Sequence, residues 1–268
     1  MACHAGRLII DREEDRVPLI VNQPAVYVTQ IVIDNRTKRN AMSREMMTEL
    51  AELWDRLDAD RGCRSIVLTG AGDKAFCAGA DIGGDLSASE ETARLVNRAL
   101  LKTTTYSKPI IAAINGDCAG GGVELLLSTD VRIAVPHARF GLPEVKWSIY
   151  PFGGATIKLV QQIGYVHAMD LILTGRLVDA DFAKQINLIN RIVDGSSALD
   201  AAIETATVIA ANSPDAVQAV KRQISDGIAQ YARGREAMEQ HLGDEVRAGR
   251  HFAEGVSAFR EKRQPNYD

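Results

Sequence analysis

Two short apolar runs, SIVLTG at 65–70 and PIIAAING at 109–116, each lead directly into a glycine-rich turn. A continuous apolar run of this length, closed by glycine, fits a strand buried on both faces. AVYVTQIVID (25–34) alternates and is rich in β-branched residues, and VRIAV (131–135) supplies a fourth strand candidate. Met46, Met47, Leu50, Leu53, Trp54 and Leu57 recur at helical spacing, which predicts an amphipathic helix from an N-cap at Ser43 to about residue 59. A further helical stretch is expected near 90–105. Strands alternating with helices argue for βαβ-type units and parallel pairing, so the fold class is α/β.

The second half reads differently. GATIKLVQQIG, ADFAKQINLI and LDAAIETATVIAANS carry helical periodicity, and Pro214 after Ser213 marks a helix start. The end of the chain has long helical patterns and no strand candidate. The expected division is therefore a core over 1–199 and a helical region over 200–268, either a separate layer or an oligomerisation appendage.

Composition excludes several classes. Lys and Arg total 31 against 35 Asp and Glu, a formal charge of −4, so no general basic field exists to hold nucleic acid. A polyanionic small ligand needs only a local patch. No stretch reaches the roughly 18 apolar residues a spanning helix requires. The N-terminal MACHAGRLIIDREEDRVPLI has early acids and no apolar h-region, so no targeting peptide is expected there. Cys3, Cys63, Cys77 and Cys118 lack zinc-site spacing and read as free thiols in a reducing, cytoplasmic setting. Dinucleotide, P-loop, H-E-x-x-H and G-x-S-x-G patterns are absent, and the five histidines are scattered.

What remains is a pair of loops, CAGAD (77–81) and AGGGVE (119–124), each following a strand. Small residues let backbone approach a ligand closely. If a helix starts in the second loop, its first N–H groups point outward without partners. Two such loops side by side would aim two amides at a developing oxyanion; taken singly, each is better read as a tight strand-to-helix turn, and only the pair with its nearby acids brings the two readings level. Glu124 falls in the first turn of that helix, where a carboxylate is also a plain dipole-stabilising residue, and Glu144 follows Pro143 on a defined turn. Two carboxyls facing one pocket cannot both ionise cheaply, so one serves as acid and the other as base.

KAFCAGADI, AAINGDCAGGGVELLLSTDVRIA, FGLPEVKWSIYPFGGAT and EGVSAFREKRQP, in this order from about Ala25 to Pro265, resemble the enoyl-CoA hydratase/isomerase (crotonase) family. The resemblance implies the crotonase (ClpP/crotonase-like) fold of repeated ββα units, with a C-terminal helical region used in assembly as a homotrimer or dimer of trimers. It implies an acyl-CoA thioester substrate that carries coenzyme A itself, with no other cofactor, no metal, and neither nucleic acid nor membrane as partner. By position it assigns the oxyanion-hole amides to Ala80 and Gly121, and the acid/base pair of water addition to Glu124 and Glu144. Substrate contacts map to Ala78, Ala80, Asp81 and Ile82, and Phe259 and Lys262 match positions where a neighbouring subunit's tail reaches the CoA. NRTKRNAM matches the loop near the nucleotide end of CoA; Arg36, Lys38 and Arg39 could meet phosphates there, although a solvated turn accounts better for most of that charge.

One departure stands out. Phe152 follows Pro151 where hydratases of this family commonly carry a small glycine, and Trp147 and Tyr150 add bulk nearby. Either the acyl pocket is reshaped or these aromatics pack elsewhere. The expected activity is reversible hydration of a trans-2-enoyl-CoA. Its rivals are a double-bond isomerase or another acyl-CoA dehydratase or hydrolase, and, from another class, a non-catalytic CoA- or RNA-binding assembly protein.

Overall fold

A computed structural model describes residues 19–81, 90–194 and 197–268 of the chain. An antiparallel hairpin of β1 (Leu19–Ala25) and β2 (Val28–Ile33) precedes helix α1 (Arg44–Ala59). The chain then repeats a ββα unit: β3 (Ser65–Gly70), β4 (Ala75–Cys77) and α2 (Glu90–Ala99), followed by β5 (Ile110–Ile114), β6 (Asp117–Ala119) and α3 (Gly121–Leu126). β7 (Val131–Ala134) and β8 (Arg139–Gly141) begin a third. The first strand of each unit joins a six-stranded sheet, β1-β2-β3-β5-β7-β10, and the second joins a four-stranded sheet, β4-β6-β8-β9. The first sheet is parallel beyond its opening hairpin.

After β8 come α4 (Val160–Ile163), α5 (Tyr165–Thr174), β9 (Leu177–Asp179), α6 (Ala180–Gln185) and β10 (Arg191–Ile192). Three helices close the chain: α7 (Ser197–Ala211), α8 (Pro214–Ala248) and α9 (Phe252–Glu261).

The apolar runs are continuous because both sheet faces are covered. Ile66, Leu68, Ile110, Ala112 and Ile114 face the main core, where α1 contributes Met46, Leu50, Leu53, Trp54 and Leu57. Val67, Ile111, Ala113 and Ile133 face the opposite side, against Ala202, Ala206 and Ala210 of α7. Alanines at this spacing let α7 lie close to the sheet, and Ser65 Oγ donates to Ala206 O at 2.8 Å. The expected boundary at 199/200 thus falls inside a helix packed on the sheet. Two cap expectations hold: Ser43 accepts from Met46 N–H, and Ser213 accepts from Ala216 N–H ahead of Pro214. The four strands of the second sheet have three residues each, too few to show a sequence period.

Candidate active site

β4 and β6 run parallel, pairing Ala75 with Asp117 and Cys77 with Cys118, so the two glycine-rich loops leave the sheet side by side. Gly79 has φ +105°, and a Cβ there would sit 3.1 Å from Ala119 O and 3.2 Å from Gly121 N. A Cβ on Gly121 would in turn lie 3.4 Å from Ala80 N. The two backbone amides are therefore neighbours, brought together by residues small enough to allow it. The bonds flanking Ala80 run from Met42 N–H to Gly79 O (2.8 Å) and from Asp81 N–H to Met42 O (2.9 Å), leaving the Ala80 N–H out. Gly121 opens α3, whose first bonds run from Val123 and Glu124 N–H to Gly120 O, so its amide has no intrahelical acceptor. Gly79 and Gly120 are buried while Ala80 is exposed and Gly121 half-buried, so of these positions Ala80 and Gly121 are the ones open to solvent. Gly122 answers a different need: a Cβ there would fall 2.2 Å from Cys77 O, so only glycine lets α3 seat on β4.

Both glutamates converge on this point. Glu144 stands on a 3-10 turn, Pro143–Trp147, with Oε1 3.0 Å from where a Gly120 Cβ would be. Its Oε2 is buried with no hydrogen-bond partner among the described residues. Glu124, only 6% exposed, accepts from Ala155 N–H through Oε1 at 3.2 Å. That amide opens a π-helical turn over Ala155–Leu159, whose wide geometry frees its early N–H groups. A Cβ on Gly153 would lie 2.3 Å from Glu124 Oε2 and 2.6 Å from Leu100 Cδ1. Burial raises both carboxyls. Glu124 is pushed up to about 7 despite the Ala155 amide, with the Glu239 charge adding to the rise and Lys102 opposing it. Glu144 is pushed up to about 8 by burial and by the Glu124 charge. One proton held between two such groups is the low-energy state near neutrality.

The remaining expected positions fall as follows. Lys38 forms an ion pair with Asp81, Arg36 with Asp34, and Arg39 with Asp117. Ala78 is half-buried, with its N–H bonded to Arg39 O at 3.1 Å. Ile82 lies outside the described residues. Phe152 is half-buried against the main core, with the Arg247 guanidinium 5.7 Å from its ring centre. Trp147 meets Phe259 of α9 edge-on at 5.2 Å, and the Tyr150 hydroxyl lies 3.4 Å from Thr156 Oγ1. Phe259 therefore borders the Glu144 turn of its own chain, and Lys262 ends α9 with φ +56°. The three aromatics of the bulky segment each have a packing or hydrogen-bond partner, and it is Gly153 and Ala155 of this segment that border the Glu124 carboxyl. Sequence reasoning missed Gly153, Ala155, Lys102 and Glu239. The GGAT run carried a signal for the first two, but nothing local ties Lys102 to Glu239.

The ββα repeat with two adjacent glycine-rich loops and a buried carboxyl pair is the architecture of crotonase-fold enzymes. The chain belongs to the enoyl-CoA hydratase/isomerase family, whose family model matches residues 25–268. An enoyl-CoA hydratase of Mycobacterium tuberculosis, EchA19, is 42% identical over 247 residues, covering 89% of this chain and 92% of that protein. A mevalonyl-coenzyme A hydratase of Aspergillus fumigatus is 34% identical, covering 92% and 94%. Among solved structures, a carnitinyl-CoA hydratase from Mycobacterium avium superposes with a TM-score of 0.87 at 34% identity, covering 95% of this chain and 99% of that one.

Proposed function

We propose that this protein adds water reversibly to a trans-2-enoyl-CoA thioester, with Glu124 and Glu144 as the acid/base pair. The observation that carries the reading is two raised carboxyls converging beside two adjacent amides that are unpaired among the described residues. Near neutral pH one carboxyl is ionised and takes a proton from water as its oxygen bonds to C3. The other gives its proton to C2. Between these events the thioester oxygen carries negative charge, which the Ala80 and Gly121 N–H groups would stabilise, each worth about 10²–10³ in rate. The free Glu144 Oε2 is a ready acceptor for the water or for the acyl carbon's proton.

Binding of the remote CoA moiety would hold the acyl group in place. Lys38 meets a CoA phosphate only in competition with Asp81, and Arg36 and Arg39 are paired likewise, so this turn supplies a replaceable set of contacts. No described helix is long and apolar enough to cross a membrane. A cytoplasmic location fits the thiols Cys63, Cys77 and Cys118, all free and buried. Assembly as a homotrimer or dimer of trimers is supported by an exposed stripe on α8, comprising Val220, Ile224, Tyr231, Met238 and Leu242.

The test is steady-state hydration of trans-2-enoyl-CoAs of graded chain length by the wild type, Glu124→Gln and Glu144→Gln. Turnover by the wild type with a loss of about 10²–10⁴ in kcat for each variant is expected. Near-normal hydration by Glu144→Gln would remove that residue from the mechanism.

A further inference from the structure

Beneath the carboxyl pair lies a second, fully buried charge pair. Lys102, just after α2, and Glu239, from α8, are 4% and 3% exposed and form an ion pair through Glu239 Oε2. Lys102 Nζ also donates to Phe152 O at 3.0 Å. Its aliphatic stem lies under Gly154, where a Cβ would be 3.3 Å from Lys102 Cγ. Glu239 Oε1 accepts from Thr156 Oγ1 at 3.0 Å. The pair thus grips both ends of the segment Phe152–Thr156. Between those grips sit Gly153, against Glu124 Oε2, and Ala155, whose N–H holds Glu124 Oε1.

Such a pair is a poor device for stability alone, because desolvating two charges costs several kcal/mol and apolar replacements of similar volume are often no less stable. Its value lies in what it fixes. We infer that Lys102 and Glu239 are positioning residues for Glu124: Lys102 clamps the 152–156 turn against the carboxyl, and Glu239 delivers this clamp from the C-terminal helix. The role rests on the reading of Glu124 as one of the acid/base pair. The two charges also bear on Glu124 in opposite senses, Glu239 disfavouring and Lys102 favouring its ionised form. The other titratable groups whose charges interact with Glu124 are Glu144, Tyr150 and Lys158. Glu236 acts on Glu239, and Lys102 acts on Lys158. Glu144, Tyr150, Lys158 and Glu236 stay in place in the variants below.

The experiment compares Glu239→Gln, Lys102→Met, the double variant and Lys102→Arg in the full chain. Isotope-edited infrared spectroscopy titrates the Glu124 carboxyl, identified by its loss in Glu124→Gln, and crotonyl-CoA hydration gives kcat and KM against pH. The Glu124 midpoint is expected to fall in Glu239→Gln and to rise in Lys102→Met, by about one pH unit each. The neutral double variant should lose at least about tenfold in kcat with KM within about twofold, as a lost orienting contact does. Lys102→Arg, which keeps the charge, should hold the wild-type midpoint. Midpoints that stay put or move in the same direction would overturn the inference. So would a double variant with wild-type kcat, and this variant carries the test if a single variant fails to fold. Opposed midpoint shifts in a protein whose wild type hydrates no enoyl-CoA would keep the clamp and dismiss the hydratase reading.

Discussion

Glu124 and Glu144 hold protons that ordinary carboxyls release. Their folded values are raised from 4.5 to about 7 and about 8, so the folded state binds protons more tightly than the unfolded chain. The stability this contributes is fully present below pH 4.5 and is lost as pH rises through 7 and 8, where the buried groups must ionise. Glu144→Gln removes the Glu144 share of that burden. Thermal unfolding followed from pH 5 to 9 should therefore show the wild type losing more stability than the variant; equal losses would mean that Glu144 titrates normally. The turnover profile follows from the same pair. Hydration is expected to be bell-shaped in pH with its maximum at the singly protonated pair, falling on the acid side when both carboxyls are protonated and on the alkaline side when both are ionised. A flat profile across pH 6–9 would contradict a reacting pair with midpoints near 7 and 8.

At the scale of elements, the site depends on short strands and on glycines that admit no side chain. Gly122→Ala drives a Cβ to 2.2 Å from Cys77 O, a backbone atom that cannot swing aside, so α3 must lift from β4. A loss of about 2–4 kcal/mol in denaturant unfolding is expected, together with loss of activity. Gly153→Ala acts on chemistry more than on folding, because the new methyl group displaces the Glu124 carboxyl itself, 2.3 Å away. Its kcat should fall by about 10²-fold while acetyl-CoA affinity, measured by calorimetry, changes little. Much of this architecture was legible in the sequence. SIVLTG and PIIAAING marked their strands because burial on two faces leaves continuous apolar runs, and Ser43 marked its helix because an unpaired N–H calls for a cap. The glycine loops and both glutamates stood out because their residue types suit the chemistry. The second sheet did not, since three residues carry no period. Nor did the Lys102–Glu239 grip, whose partners meet only once α8 has docked.

At the scale of the molecule, the C-terminal helices are tied to the core more closely than a division at 199/200 suggests. α7 covers one sheet face with Ala202, Ala206 and Ala210, α8 sends Glu239 beneath Glu124, and α9 places Phe259 against Trp147 beside the Glu144 turn. What α8 leaves outward is the apolar stripe from Val220 to Leu242. Analytical ultracentrifugation should find a trimer or a dimer of trimers, and Ile224→Asp together with Met238→Asp should shift it to smaller species; a wild-type monomer at micromolar concentration would contradict the assembly. Saturation with acetyl-CoA at about 100 times its Kd should add about 2.7 kcal/mol to stability, whereas no thermal shift would favour a non-catalytic role on the same fold.

Addition of water across the double bond is read most directly by isotope. The wild-type protein is incubated with crotonyl-CoA in ¹⁸O-labelled water and the acyl product is analysed by mass. The expected product is a 3-hydroxyacyl-CoA carrying one ¹⁸O at C3, formed at a rate that collapses in Glu124→Gln. A product with a moved double bond and no label, or labelled free acid from thioester cleavage, would contradict it.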